Sequence, residues 1–252
     1  MHRFPVPALL FLLAAAFPAN AKDLKILTGA GMSMPVRALA ADFGQRTGAN
    51  VSVVSDTAGG VQKRMEAGEK FDLVIGTTAV LDILTKENKV SAQHADLAQM
   101  VAGISARKGA AKPAIGTGDQ VKASLLAAKT IAYVDPASGG ITGVFFLSQA
   151  DKLGVGQEVR AKAVLKPNGK AVATAVANGE AQYGVTLISE MLPNPGVTVW
   201  PLPDELQMTT IYTAAIASNA ENAMDASALL ADLRGEKGRK ANIKAGLKPV
   251  SS

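Results

Sequence analysis

Three stretches of this chain combine residue types that can hold a small anion. They are Thr28-Gly29-Ala30-Gly31-Met32-Ser33, Asp56-Thr57-Ala58-Gly59-Gly60 and Ser138-Gly139-Gly140-Ile141-Thr142-Gly143. Each follows an apolar run and precedes a stretch of helical periodicity. A helix start offers backbone N–H groups with no intrahelical partner, and its dipole favours negative charge. Hydroxyls add hydrogen bonds, and glycine lets the backbone come close. Any one of these loops is equally well explained as a helix cap, but three of them, spread over both halves of the chain, point to a ligand cleft. The candidate contacts are Gly29, Ala30, Gly31, Met32, Ser33, Thr57, Ala58, Gly59, Ser138, Gly140, Thr142 and Gly143. Arg107, just after an apolar strand candidate, is the preferred charged partner for such a ligand.

Other chemistries lack their residues. The chain has no cysteine, and His94 is the only histidine after residue 2. That removes zinc sites of the usual nitrogen and sulfur kind and Cys/His nucleophilic catalysis. There is no GxxxxGK[ST] phosphate loop, no complete G-x-G-x-x-G and no G-x-S-x-G elbow. Asp42, Asp56 and Asp135 sit in no recognisable acid pair, and Asp135, before Pro136, reads as a turn residue. No catalytic residue, cofactor or metal is therefore expected, and the protein is expected not to be an enzyme.

The elements that must position the loops alternate. Apolar runs at 24–27, 51–54, 71–75, 131–134, 161–165 and 183–186 read as strands, and helical periodicity follows them; Val36, Leu39, Ala40 and Phe43 are one such face. Strand, Gly-rich loop and helix in repetition predict an α/β fold, with mainly parallel sheets flanked by helices and ligands at the carboxyl ends of strands. Met100–Ile104 and Thr209–Ala217 read as strands crossing between two lobes. The expected division is 22–104 with 212–252 in one lobe and 105–211 in the other.

The compartment follows from the start of the chain. His2 and Arg3 precede an apolar run from Val6 to Phe17, and Ala19-Asn20-Ala21 offers a small-x-small site. This predicts a signal peptide, residues 1–21, cleaved after Ala21, and a periplasmic protein. Lys and Arg number 26 against 21 Asp and Glu, scattered rather than striped, and aromatics make up 4%. That composition argues against a nucleic-acid surface and suits a small anionic ligand and a monomer.

At these loops the chain resembles the periplasmic molybdate-binding proteins and the wider group of type II solute-binding proteins. The likeness runs through Leu24–Met32, Val53–Gly68 with Phe71–Ile75, Asp135-Pro136 with its glycine-rich loop, and Asn178–Gly184. It implies two lobes joined by two crossing strands, closure on the ligand, and delivery to the membrane permease of an ABC importer. Molybdate binders use a serine in each of the first two loops and a tyrosine on the last cleft strand. The matching positions here are Gly31, Thr57 or Ala58, and Leu187, so Leu187 joins the candidate contacts. The resemblance leaves open a molybdate-like oxyanion, a small organic carboxylate, or a sensor or accessory subunit of the same fold.

Overall fold

A computed structural model describes residues 23–250. The expected signal peptide lies outside the described residues. The chain begins with β1 (Asp23–Gly29), α1 (Ser33–Thr47), β2 (Asn50–Asp56), α2 (Ala58–Glu66), β3 (Leu73–Thr77), α3 (Thr78–Lys86) and β4 (Ala95–Gln99). It then runs through β5 (Ala102–Arg107), α4 (Gly118–Ala127), β6 (Ile131–Val134), α5 (Ile141–Lys152), α6 (Gly156–Ala161), β7 (Ala163–Lys166), α7 (Gly169–Ala177), β8 (Tyr183–Leu187), α8 (Ile188–Met191) and β9 (Val197–Pro201). It returns with β10 (Ile211–Ile216), α9 (Ala223–Arg234), α10 (Glu236–Lys244) and β11 (Lys248–Pro249).

Two sheets result, ordered β11-β4-β10-β3-β1-β2 and β7-β6-β8-β5-β9. Parallel pairing is confined to the βα units: β1 pairs parallel with β2 and β3, and β6 with β7 and β8. The strands next to the crossings run antiparallel, β10 against β3 and β4, and β5 against β8 and β9. The sheets are thus mixed rather than mainly parallel, because a chain that crosses and returns enters each sheet from the opposite end. Met100–Ile104 is not one strand: the first sheet ends at Gln99, the second begins at Ala102, and two residues make the crossing. Ala102–Ile104 therefore pairs with the second sheet, a few residues before the expected boundary.

Local signals explain most elements. The α1 face Pro35, Val36, Leu39, Ala40 and Phe43 is buried, as its spacing predicts, and Gly48 closes the helix with φ +74°. Thr57, Thr77 and Asn168 cap α2, α3 and α7 through their side chains, accepting from the Gly60, Val80 and Ala171 N–H groups. Asp135 fixes its turn by accepting from Ala137 N at 2.9 Å. The crossings are stapled by amide side chains. Gln99 Nε2 donates to Met208 O at 2.7 Å; Gln207 accepts from Ala102 N at 3.0 Å and donates to Leu202 O at 2.7 Å. No helix among the described residues is long and apolar enough to cross a membrane.

Candidate functional site

The parallel strands of both sheets end at one cleft between the lobes. Gly29, Ala30 and Gly31 bring the end of β1 to it, Thr57 and Ala58 the start of α2, and Gly76 and Thr77 the end of β3. From the other lobe come Val134, Gly140, Ile141 and Thr142 at the start of α5, Asn168 and Gly169 at the start of α7, and Leu187 and Glu190. Met100 and Tyr212 complete the wall. The cavity is about 30 Å³, room for a water molecule or two. The mouth is closed by contact between lobes: Gly59 N donates to Gly139 O at 3.1 Å, and Thr57 Oγ1 to Ser138 O at 3.4 Å. A ligand much larger than water needs these loops to part, since the cavity itself is too small for it.

The Gly59–Gly139 contact is too tight for a branched side chain, since even a Cβ on Gly59 would stand 3.1 Å from Gly139 Cα. Gly59→Val is therefore expected to hold the lobes apart. Small-angle scattering should give it a larger radius of gyration than the wild-type protein, and one that saturating ligand does not reduce.

Of the residues singled out from sequence, Gly29, Ala30, Gly31, Thr57, Ala58, Gly140, Thr142 and Leu187 line the cavity. Gly59 and Ser138 form the mouth, and the Ser138 hydroxyl is used on Asp135 O at 2.7 Å. Met32 is fully buried in the core, and Ser33 accepts from Arg37 Nε at 3.1 Å. Gly143 supports the site from beneath, where a Cβ would collide with the Val134 carbonyl. Arg107 does not reach the cleft. Ala102 is the β5 residue opposite Leu187, and Arg107 lies five residues further along, about 17 Å at strand rise. Because β5 runs antiparallel to β8, its carboxyl end points away from the ligand side.

Reasoning from sequence missed Glu190 and Tyr212. Glu190 sits on α8, with its Oε2 3.2 Å from Thr186 Oγ1 and its carboxyl against the Gly169 N–H at the start of α7. Any Cβ at Gly169 would collide with it. Burial pushes the carboxyl up to about 7, against the lowering effect of the Thr186 hydroxyl and the Gly169 N–H. Tyr212 is buried, and its oxygen receives a hydrogen bond from the Gly31 backbone. Burial, and secondarily the Glu190 charge, raise its pKa, so it stays a neutral phenol. The available signal was an acid inside the apolar stretch Val185-Thr186-Leu187-Ile188-Ser189-Glu190-Met191, since acids are rarely buried without a purpose.

The serine of the molybdate pattern has no room here. A Cβ on Gly31 would collide with the Tyr212 hydroxyl, stand 2.6 Å from Leu187 Cδ1 and lie 3.1 Å from Ser189 Oγ. None of the described residues lining the cavity is Lys, Arg or His. Positive potential comes instead from helix starts: Thr57, Thr77, Gly140 and Asn168, the N-cap residues of α2, α3, α5 and α7, all line it. Each such terminus acts as about half a positive charge. The arrangement can bind a polyanion through backbone N–H groups and can hold or release one proton near neutral pH.

The family profile of bacterial extracellular solute-binding proteins matches residues 24–248, and the chain belongs to that family. It is 33% identical, over 98% of its length and 97% of the other protein's, to an aconitate isomerase from Pseudomonas sp. In fold it is similar to the Azotobacter vinelandii periplasmic molybdate-binding protein, with TM-score 0.74 and 18% identity over 90% of this chain and all of the other. L-phospholactate-bound PEB3 superposes with TM-score 0.70 at 16% identity, over 90% of this chain and all of the other. The aconitate isomerase overturns the expectation that the protein is not an enzyme. The physical reason for the error is that the titratable group of the cleft is assembled from distant elements and belongs to no local motif.

Proposed function

We propose that this protein is an isomerase of small unsaturated polycarboxylates of the aconitate type, acting outside the cytoplasm, with Glu190 carrying the proton. The observation behind this reading is a carboxyl group held near neutral pKa in the ligand cleft, with no Lys, Arg or His among the described residues that line it. A base poised near the operating pH is suited to proton transfer.

The chemistry asks for little more. Aconitate is a three-carbon chain bearing three carboxylates, with a double bond on one side and a CH2 on the other. Glu190 takes a proton from the CH2; the C–H bond breaks and an O–H bond forms. The electron pair is shared between the two terminal carbons as an allylic anion. Glu190 then returns the proton to the opposite terminal carbon, and the double bond has moved. When one end of the anion is folded cis and the other trans, this single shift interconverts the isomers without rotation about a double bond. The helix starts at Thr57, Thr77, Gly140 and Asn168 hold the carboxylates meanwhile. The 33% identical aconitate isomerase supports the substrate class.

A second reading, capture of a small anion for a membrane permease, is favoured by the fold shared with the molybdate-binding protein. The test is to incubate the protein with trans- or cis-aconitate in D2O and follow both isomers by NMR. Interconversion with deuterium entering the methylene group is expected. Binding with neither interconversion nor exchange would reject the isomerase and leave the permease partner as the working reading.

A further inference from the structure

Removing a proton from carbon next to a carboxylate places extra negative charge on that carboxylate, and Glu190 cannot stabilise it. The charge of an allylic anion sits on its terminal carbons, so it spreads onto the terminal carboxylates and not the central one. A site that performs the shift must therefore hold hydrogen-bond donors or positive charge against a terminal carboxylate, and none of the described residues lining the cavity is a cation.

Two hydroxyls meet such a requirement next to Gly31: Tyr212 lines the cavity, and Ser189 lies just behind its wall. The Tyr212 oxygen already accepts from the Gly31 backbone, which leaves its own hydrogen to be donated. Ser189 is 4% exposed, and its Oγ has no hydrogen-bond partner. Both oxygens pack against Gly31: a Cβ there would collide with the Tyr212 oxygen and stand 3.1 Å from Ser189 Oγ. A buried hydroxyl without a partner is costly, and such a group calls for an explanation. Serine 189 also directly precedes the proposed base, on the same short helix. Since burial keeps the phenol from ionising, Tyr212 is fitted to donate a hydrogen bond and not to transfer a proton.

We infer that Tyr212 and Ser189 together form the donor site for the terminal carboxylate that gains charge in the transition state. This rests on the isomerase reading above. Donors aimed at developing charge act on the rate more than on ground-state binding.

The experiment compares Tyr212→Phe and Ser189→Ala with the wild-type protein on two measurements. One is turnover of trans-aconitate with deuterium exchange. The other is the Kd for tricarballylate, the saturated tricarboxylate that has no double bond to shift. Tyr212→Phe is expected to lower kcat by about 100-fold or more and to change the tricarballylate Kd by less than about threefold. Ser189→Ala removes a hydroxyl that bonds nothing in the fold, so it tests the site without loss of stability; it is expected to lower kcat about tenfold, again with little change in Kd. Loss of kcat matched by an equal loss of tricarballylate affinity would overturn the inference, because the hydroxyls would then be ordinary anchors. Unchanged kcat in both variants would also overturn it. Failure of the isomerase reading is distinguishable: the wild-type protein would bind tricarballylate yet neither isomerise nor exchange.

Discussion

Glu190→Gln should abolish isomerisation while leaving the cleft able to bind. Glutamine has nearly the same shape, and its side-chain oxygen can accept from Thr186 and the Gly169 N–H as the carboxylate does. It cannot take up a proton. Loss of a positioned base costs about 10²–10⁴ in rate, and the upper end is expected here because no other lining residue among those described is an acid, a lysine or a histidine. Deuterium exchange into the substrate methylene should disappear with turnover. The Kd for tricarballylate should stay equal or fall, since a carboxylate facing a polyanion is removed. A variant that still turned over near the wild-type rate would rule out Glu190 as the proton carrier.

The same substitution has a second, independent signature. The Glu190 pKa rises from 4.5 to about 7 on folding, so the folded protein binds a proton more tightly than the unfolded chain. Stability contributed by this group is present below pH 4.5 and is lost as pH rises from there to about 7. Glu190→Gln carries no such cost. Thermal melting should show variant and wild type alike near pH 4, with the variant the more stable above pH 7. Equal melting temperatures at both ends would mean that the carboxyl is not held in the environment described.

What the sequence revealed, and what it hid, divides along a physical line. Loops one to three were legible because a glycine and a hydroxyl after an apolar strand is a local pattern, and the local pattern is also the mechanism: Thr57 caps α2 and points the same helix start at the cleft. Leu187, proposed by resemblance, lines the cavity at the end of β8. Arg107 was misplaced because proximity to a strand end means nothing until the strand's direction is known, and β5 is antiparallel to β8. The break between β4 and β5 was hidden because Met100-Val101-Ala102-Gly103-Ile104 has no polar interruption; only pairing with two different sheets separates them. Glu190, Ser189, Tyr212 and Gly31 come from three distant parts of the chain and meet only through the return crossing that sets β10 between β3 and β4. No spacing rule along the sequence joins them.

Binding of a polycarboxylate should draw a proton onto Glu190. The groups that face its carboxyl are the Thr186 hydroxyl on β8, the Gly169 N–H on α7, Thr142 on α5 through Thr186, and the Tyr212 phenol on β10. None is a cation, and a bound polyanion adds negative charge to this surrounding, so the protonated form is favoured further in the complex. By linkage, ligand affinity is then highest below pH 7 and falls above it, by about tenfold per pH unit, because a single proton is involved. The fall ends where the carboxyl of the complex itself ionises. Turnover responds in the opposite direction. The shift starts from ionised Glu190, so kcat keeps rising above pH 7 as the complex loses its proton, whereas kcat/KM, which reports the free protein, levels off near 7. The check is calorimetry with tricarballylate from pH 7 to 9, in buffers of different protonation heat. Up to one proton should be taken up per ligand at pH 8, and none by Glu190→Gln. A Kd independent of pH over that range, or the same slope in the variant, would place the titrating group elsewhere. The opposed slopes compensate: the cleft holds its ligand best where Glu190 is protonated and turns it over best where Glu190 is not, so above pH 7 the loss of affinity is matched by the gain in kcat and kcat/KM stays level.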